Sequence, residues 1–302
     1  MRAAVRTLLA MGMAAVGVAA FAAAADAPPR LVNARVETRS AASGLEPALR
    51  SAVPASRDPA WIGYAVPGEG RHQMCCWESA ESAGLACPGC RLEGRGGFTV
   101  RGDGETRAGA VSLEGDETVV VLFRAEAGQV ERIRAFSAGC ALDAGGLPFV
   151  WLTGVRPAES VRLLRSFAAS GVSGGRSGKR DEAALAALAF HADPSALDAL
   201  IGLARQDASA HVRGQALFWL AQRAGSRVSG VITRAIEDDP ETEVKKRAVF
   251  ALSQLPHDEG VPLLIDAARR NRNPAVRKQA VFWLGQSKDP RALTFFEELL
   301  KP

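Results

Sequence analysis

The chain has 302 residues, 47% of them hydrophobic and 23% charged, with 37 basic against 33 acidic side chains and a formal net charge of +4. That length allows two domains of ordinary size. The near balance of charge excludes the clustered Lys and Arg that a nucleic-acid or anionic-membrane partner requires.

Arg2 and Arg6 precede an uncharged stretch from Thr7 to Ala25, apolar around Leu8, Leu9, Val16, Val18 and Phe21 and closed by Ala23-Ala24-Ala25. This is the pattern of an export signal with a small-residue cleavage site. Residues 1–25 are therefore expected to be removed, leaving a periplasmic or secreted chain that begins near Asp26. The stretch is long enough to span a bilayer, but its Gly and Ala content and Ala-rich end favour cleavage, with no stable membrane span afterwards. Beyond it, 35 basic residues face 33 acidic ones.

Residues 26–60, rich in Ala, Pro, Ser and Arg, are expected to form an irregular lead-in to a small β-rich domain over 61–169. All five Cys fall in that domain: Cys75, Cys76, Cys87, Cys90 and Cys140. Export makes disulfides the first reading, and the Gly- and Ser-rich surroundings, poor in apolar residues, would gain from stapling. The favoured cross-links join Cys75-Cys76 to the Cys87-Pro88-Gly89-Cys90 loop, with the pairing open and Cys140 either joining or free. Two alternatives use the same residues. Cys87 and Cys90 have the spacing of a redox dithiol, and Cys75, Cys76, Cys87 and Cys90 with His72 could hold zinc; without that zinc no cofactor is implied.

Strands are expected at Thr118–Phe123 and Val130–Phe136, joined as a hairpin through Ala127-Gly128-Gln129, and again at Pro148–Leu152, with weaker candidates at Phe98–Val100 and Ala110–Leu113. A helix is expected from Pro157 to Phe167. Residues 170–178, Ser-Gly-Val-Ser-Gly-Gly-Arg-Ser-Gly, read as a flexible linker.

From 179 to 302 the chain repeats. His211-Val212-Arg213-Gly214-Gln215-Ala216-Leu217-Phe218-Trp219-Leu220 aligns with the segments starting at Glu243 and Ala275 at a step of 32 residues, and a fainter copy lies one step earlier at Ala184 and Leu188. Val212, Ala216 and Leu220 fall on one helical face. A second apolar helix follows in each unit, its register held by Leu200, Ile232, Leu264 and Phe296. The architecture expected is an α-solenoid of about four helical hairpins, enough units to bury a continuous core.

The order of Asp, Val-Arg, Ala and an apolar run to Leu, then Asp-Pro and a second helix, resembles the short HEAT repeats of the kind first noted in phycobilisome lyases. The resemblance implies that the Asp207, Asp239, Arg213, Lys245 and Arg277 columns knit neighbouring units together. It implies a binding surface rather than a lyase, because fold and function separate readily.

One column lies outside the core pattern. At about 100° per residue, Phe218 falls some 240° from Val212, and Gln222 lies one turn further on. The pair recurs as Phe250 with Gln254 and Phe282 with Gln286, with Trp219 and Trp283 at the margin. These eight residues are the candidate partner-binding strip; the competing reading has the rings filling gaps between units. No nucleophile-elbow or Walker pattern is present. The expected function is that of an exported, non-enzymatic interaction scaffold or adaptor of the cell envelope, with another protein as partner. The alternative is a thiol-redox or zinc factor.

Overall fold

The computed structural model describes residues 26–69, 90–93, 118–138, 141–169 and 176–301. Two compact units result: residues up to Leu163 together with Phe190–Asp193, and Leu164–Ala189 together with Pro194 onward.

In the first unit, strands β1 (Leu31–Val32), β2 (Arg35–Ser40), β3 (Ala60–Pro67), β4 (Cys90–Arg91), β5 (Thr118–Glu126), β6 (Gln129–Ser137), β7 (Leu142–Asp143) and β8 (Pro148–Thr153) form two sheets, ordered β2-β8-β3-β5-β6 and β1-β7-β4. The runs of β3 and β5 are apolar on both faces and buried on both, so they take the interior of the larger sheet. β5 and β6 pair antiparallel through a two-residue turn in which Ala127 (φ 49°) and Gly128 (φ 76°) both have positive φ, the geometry whose twist suits a hairpin. Trp61, Leu122, Phe136, Phe149 and Trp151 make the core. Helix α1 (Leu45–Ala52) buries Leu45, Leu49 and Ala52, the single stripe of an amphipathic helix.

The expected hairpin is present and longer than its apolar runs, and Pro148–Leu152 is a strand. Phe98–Val100 and Ala110–Leu113 lie outside the described residues. Residues 26–60 are not irregular. β2 pairs in parallel with β8, Arg35 opposite Pro148 through Ser40 opposite Thr153. Its sequence, Arg-Val-Glu-Thr-Arg-Ser, is mostly exposed, as suits a charged edge strand, and that is why no apolar period marks it.

Helix α2 (Pro157–Ala168) contains the boundary between the units. The second unit continues with α3 (Arg176–Ala189), α4 (Pro194–Gln206), α5 (Ala210–Ala224), α6 (Ser229–Asp238), α7 (Thr242–Ser253), α8 (His257–Arg270), α9 (Pro274–Gln286) and α10 (Pro290–Leu300), taken as four consecutive pairs. The last three residues of the expected linker, Arg176-Ser177-Gly178, are the first turn of α3; the rest of it lies outside the described residues. The repeat columns are core: Val212, Ala216 and Leu220, Val244, Ala248 and Leu252, and Val276, Ala280 and Leu284 are all buried, as are Leu200, Ile232 and Leu264 of the second helices. Starts are capped locally. The Ser209 hydroxyl accepts from the Val212 N–H, and the side chains of Asn273 and Asp289 accept from Ala275 and Arg291, with Pro274 and Pro290 in the first turn.

A candidate partner-binding face

The first helices α5, α7 and α9 carry a row of aromatic rings. Phe218 stacks on Phe250, centroids 5.8 Å apart and planes within 4°. Phe250 continues to Trp283 at 4.8 Å. Trp219 meets Phe218 edge-on, and Phe282 meets Trp283 edge-on, each at 5.1 Å. These separations and tilts are those that the ring quadrupole favours.

Burial divides the eight strip residues. Phe218, Phe250 and Trp283 are half-buried, with part of each still open to solvent. Phe282 is 53% exposed. Trp219 is buried and so is removed from the face. At about 340° from Val212 it stands beside the core stripe rather than opposite it. The rings thus bridge neighbouring helices and still present a surface, which joins the two competing readings.

The glutamines run alongside, all three exposed. Gln222 Nε2 donates to Gln254 Oε1 (3.2 Å), Gln254 Nε2 donates to Ser253 Oγ (3.1 Å), and that hydroxyl donates to the Phe250 carbonyl. Each amide offers two donors and two acceptor lone pairs, so most of this capacity faces water. At the end of the row is a cavity of about 190 Å³ with Leu252, Leu255, Val261 and Leu264 on its apolar side and Gln254, His257, Trp283 and Gln286 among its other lining residues. Trp283 Nε1 is buried without a hydrogen-bond partner among the described residues, a donor whose desolvation costs about 1–3 kcal/mol.

Charge on this face is uneven. Glu243 is paired with Lys246, and Glu182 meets His211 Nε2 at 3.1 Å and accepts from Gln215. Arg247 and Lys278 are exposed, and neither has an ion pair or hydrogen bond among the described residues. The Arg247 stem lies over Gly214, where a Cβ would collide with it.

Beneath the face, the Asp and Arg columns join units. Arg213 donates through Nε and Nη2 to both carboxylate oxygens of Asp239 (2.8 and 3.0 Å) and through Nη1 to the Asp207 carbonyl. Burial alone would raise Asp239, but its hydrogen bonds from Arg213 and the Glu241 N–H outweigh that and hold the carboxyl below its ordinary value. Further along these columns there is no such pair among the described residues: Lys245 donates to the Glu237 carbonyl and Arg277 to the Asn271 carbonyl, and the ion pair between the third and fourth pairs is instead Arg269 with Glu298. In the first pair the same column holds Asp181. It is 2% exposed, and its Oδ1 lacks a partner among the described residues. Burial pushes the Asp181 carboxyl up, Arg180 and His211 pull it down, and Asp207 and Glu182 push it up again.

The first unit holds a polar chain that sequence reasoning missed. The Tyr64 hydroxyl lies 2.7 Å from Ser160 Oγ, and Ser160 Oγ lies 2.7 Å from His191 Nε2. All three residues are fully buried, so substrate has no access to them. Burial raises the Tyr64 phenol well above its ordinary value, against the smaller lowering effect of Ser160. The two hydroxyls share one bond in which either can donate, and the bond from Ser160 to the imidazole takes its direction from the His191 tautomer. The available signal was a Ser on the inner stripe of α2, among Val161 and Leu164.

Of the cysteine candidates, Cys90 opens β4, opposite Leu142 of β7. Cys75, Cys76, Cys87, Cys140 and His72 lie outside the described residues. Among the described residues no group of His, Cys, Asp and Glu is arranged to hold a metal ion, and no helix is long and apolar enough to cross a membrane.

A family model for HEAT repeats matches residues 228–302. Residues 228–302 carry HEAT repeats. Among solved structures, the X-ray structure of the Escherichia coli protein YibA is similar at 24% identity, covering 48% of this chain and 54% of that one with a TM-score of 0.32. The chain thus spans about half the length of that relative. No curated protein matches it. The HEAT match takes in α6 to α10 and so includes Phe250, Gln254, Phe282, Trp283 and Gln286.

Proposed function

We propose that the chain is a protein-interaction scaffold, exported to the periplasm or beyond, whose four helix pairs act as one α-solenoid and hold a partner protein along the Phe/Trp/Gln face. The observation that carries this reading is the ring row: Phe218, Phe250 and Trp283 stack across three units yet remain partly exposed, and Phe282 is 53% exposed. Surfaces that run across units are how repeat arrays bind, and aromatic anchors concentrate binding energy. The action proposed is binding and uses no cofactor. In keeping with export, the chain recovered from an envelope fraction is expected to begin near Asp26, as N-terminal sequencing would show.

The test is Phe250→Ala, measured for both melting and cross-linked capture of partner from that envelope fraction. Expected is a loss of about 1–2 kcal/mol in stability, less than a fully buried Phe would lose, with capture abolished. A loss of several kcal/mol with capture intact would make the ring row packing and sink the proposal.

A further inference from the structure

We propose that this face takes an acidic peptide segment with an apolar anchor residue, an inference that rests on the scaffold reading above and names the chemistry of its partner. The first ground is charge. Arg247, Lys278 and, past the end of α9, Lys288 are exposed and have no ion pair or hydrogen bond among the described residues, while Glu243 is balanced by Lys246 and a further carboxylate, Glu182, is held by Gln215 and faces His211. The face therefore presents unpaired positive charge beside its rings, and complementary charge selects partners and sets association rate more than it adds affinity.

The second ground is the socket. The cavity of about 190 Å³ at the end of the row exceeds the roughly 150 Å³ that suffices for a benzene ring in an apolar cavity, so a Leu, Phe or Trp side chain fits it. The third is the polar edge. Gln222, Gln254 and Gln286 repeat at the unit step and face solvent, and side-chain amides can donate to and accept from an extended peptide backbone. Trp283 is on the cavity wall, where its ring adds apolar surface for the anchor residue. A nucleic-acid strand would also use rings and cations, but the face offers few phosphate contacts, and binding to phosphates rests on many of them.

The experiment pans the full chain against a phage-displayed library of random dodecapeptides, with oligodeoxythymidine as competitor. Enriched sequences are expected to carry Asp and Glu beside Leu, Phe or Trp. A synthetic copy, followed by fluorescence anisotropy, should bind at least about tenfold more weakly to the Arg247→Glu, Lys278→Glu variant and more weakly in high salt. Because the Arg247 stem packs over Gly214, a thermal melt checks that this variant stays folded, and Lys278→Glu alone, at an exposed side chain, is expected to melt unchanged while still weakening binding. Neutral or basic peptides that lose binding on Phe282→Asp would overturn the acidic partner and leave the scaffold reading standing. Enrichment indifferent to Phe282→Asp, or no enrichment, would overturn both. Displacement of every peptide by oligodeoxythymidine would overturn it in favour of nucleic acid.

Discussion

The two units use their aromatic side chains in opposite ways. In the first, Trp61, Tyr64, Phe123, Phe149 and Trp151 are fully buried and are the largest members of the core. In the second, the buried columns are Val, Ala, Leu and Ile, with Trp219 and Phe295 buried beside them, while Phe218, Phe250, Trp283 and Phe282 keep exposed area. Small aliphatic residues let adjacent helices approach closely and fill the gap between them, so the repeat core needs few rings. A sheet covered by few helices needs volume and takes it from rings. The part-exposed aromatics of the array therefore sit only partly within the packing, and their open area is what a partner can use.

The sharpest way to break this comparison is to truncate one ring from each unit. Trp151→Ala should cost about 3–5 kcal/mol, read by urea unfolding, whereas the Phe250→Ala variant should cost less than half of that. Equal losses would make the ring row core and remove the contrast. The polar interior extends it. Ser160→Ala removes the hydroxyl that both the Tyr64 phenol and His191 Nε2 bond and should cost about 2–3 kcal/mol; Tyr64→Phe in the same background should recover part of that loss.

The smallest effect belongs to Asp181. Its folded pKa is raised, so the sign is the reverse of the usual carboxylate. The Asp181 contribution is greatest at acid pH and falls as pH rises from about 3.9, where the unfolded Asp ionises, through the higher folded value. Asp181→Asn should flatten that decline and raise Tm at neutral pH by roughly 2–4 °C, seen in melts across pH 4 to 8. Asp239 runs the other way, its contribution present above the unfolded value and lost as pH falls through its lowered one.

Legibility followed the distance over which contacts are made. A step of 32 residues repeats its own period, so Val212, Ala216 and Leu220 announced both the helices and their buried face, and the 240° of Phe218 announced a side chain turned from the core. Trp219 misled because an indole at the margin of a stripe can turn either way, and only packing decides. β2 was invisible because its partner β8 lies more than a hundred positions on and its own residues are polar. Ser160 and His191 meet across a fold that no local pattern encodes. Cys90 showed a spacing but no strand, since β4 takes its place from the β7 ladder and from Arg132 and Arg134, which donate to the Leu92 and Arg91 carbonyls.

The junctions between units are not equal. The Arg213–Asp239 bridge ties α5 to the turn before α7, while the third and fourth pairs are joined by the Arg269–Glu298 ion pair, by Arg291, which donates to the His257 and Asp258 carbonyls, and by the hydrogen bond from Asn273 Nδ2 to Thr242 Oγ1. Beyond that, Leu293, Leu299 and Leu300 stand open to water on the last helix. With those leucines left open to water, amide protons of α10 are expected to exchange ahead of those of α5 and α7, whose Val, Ala and Leu columns are buried.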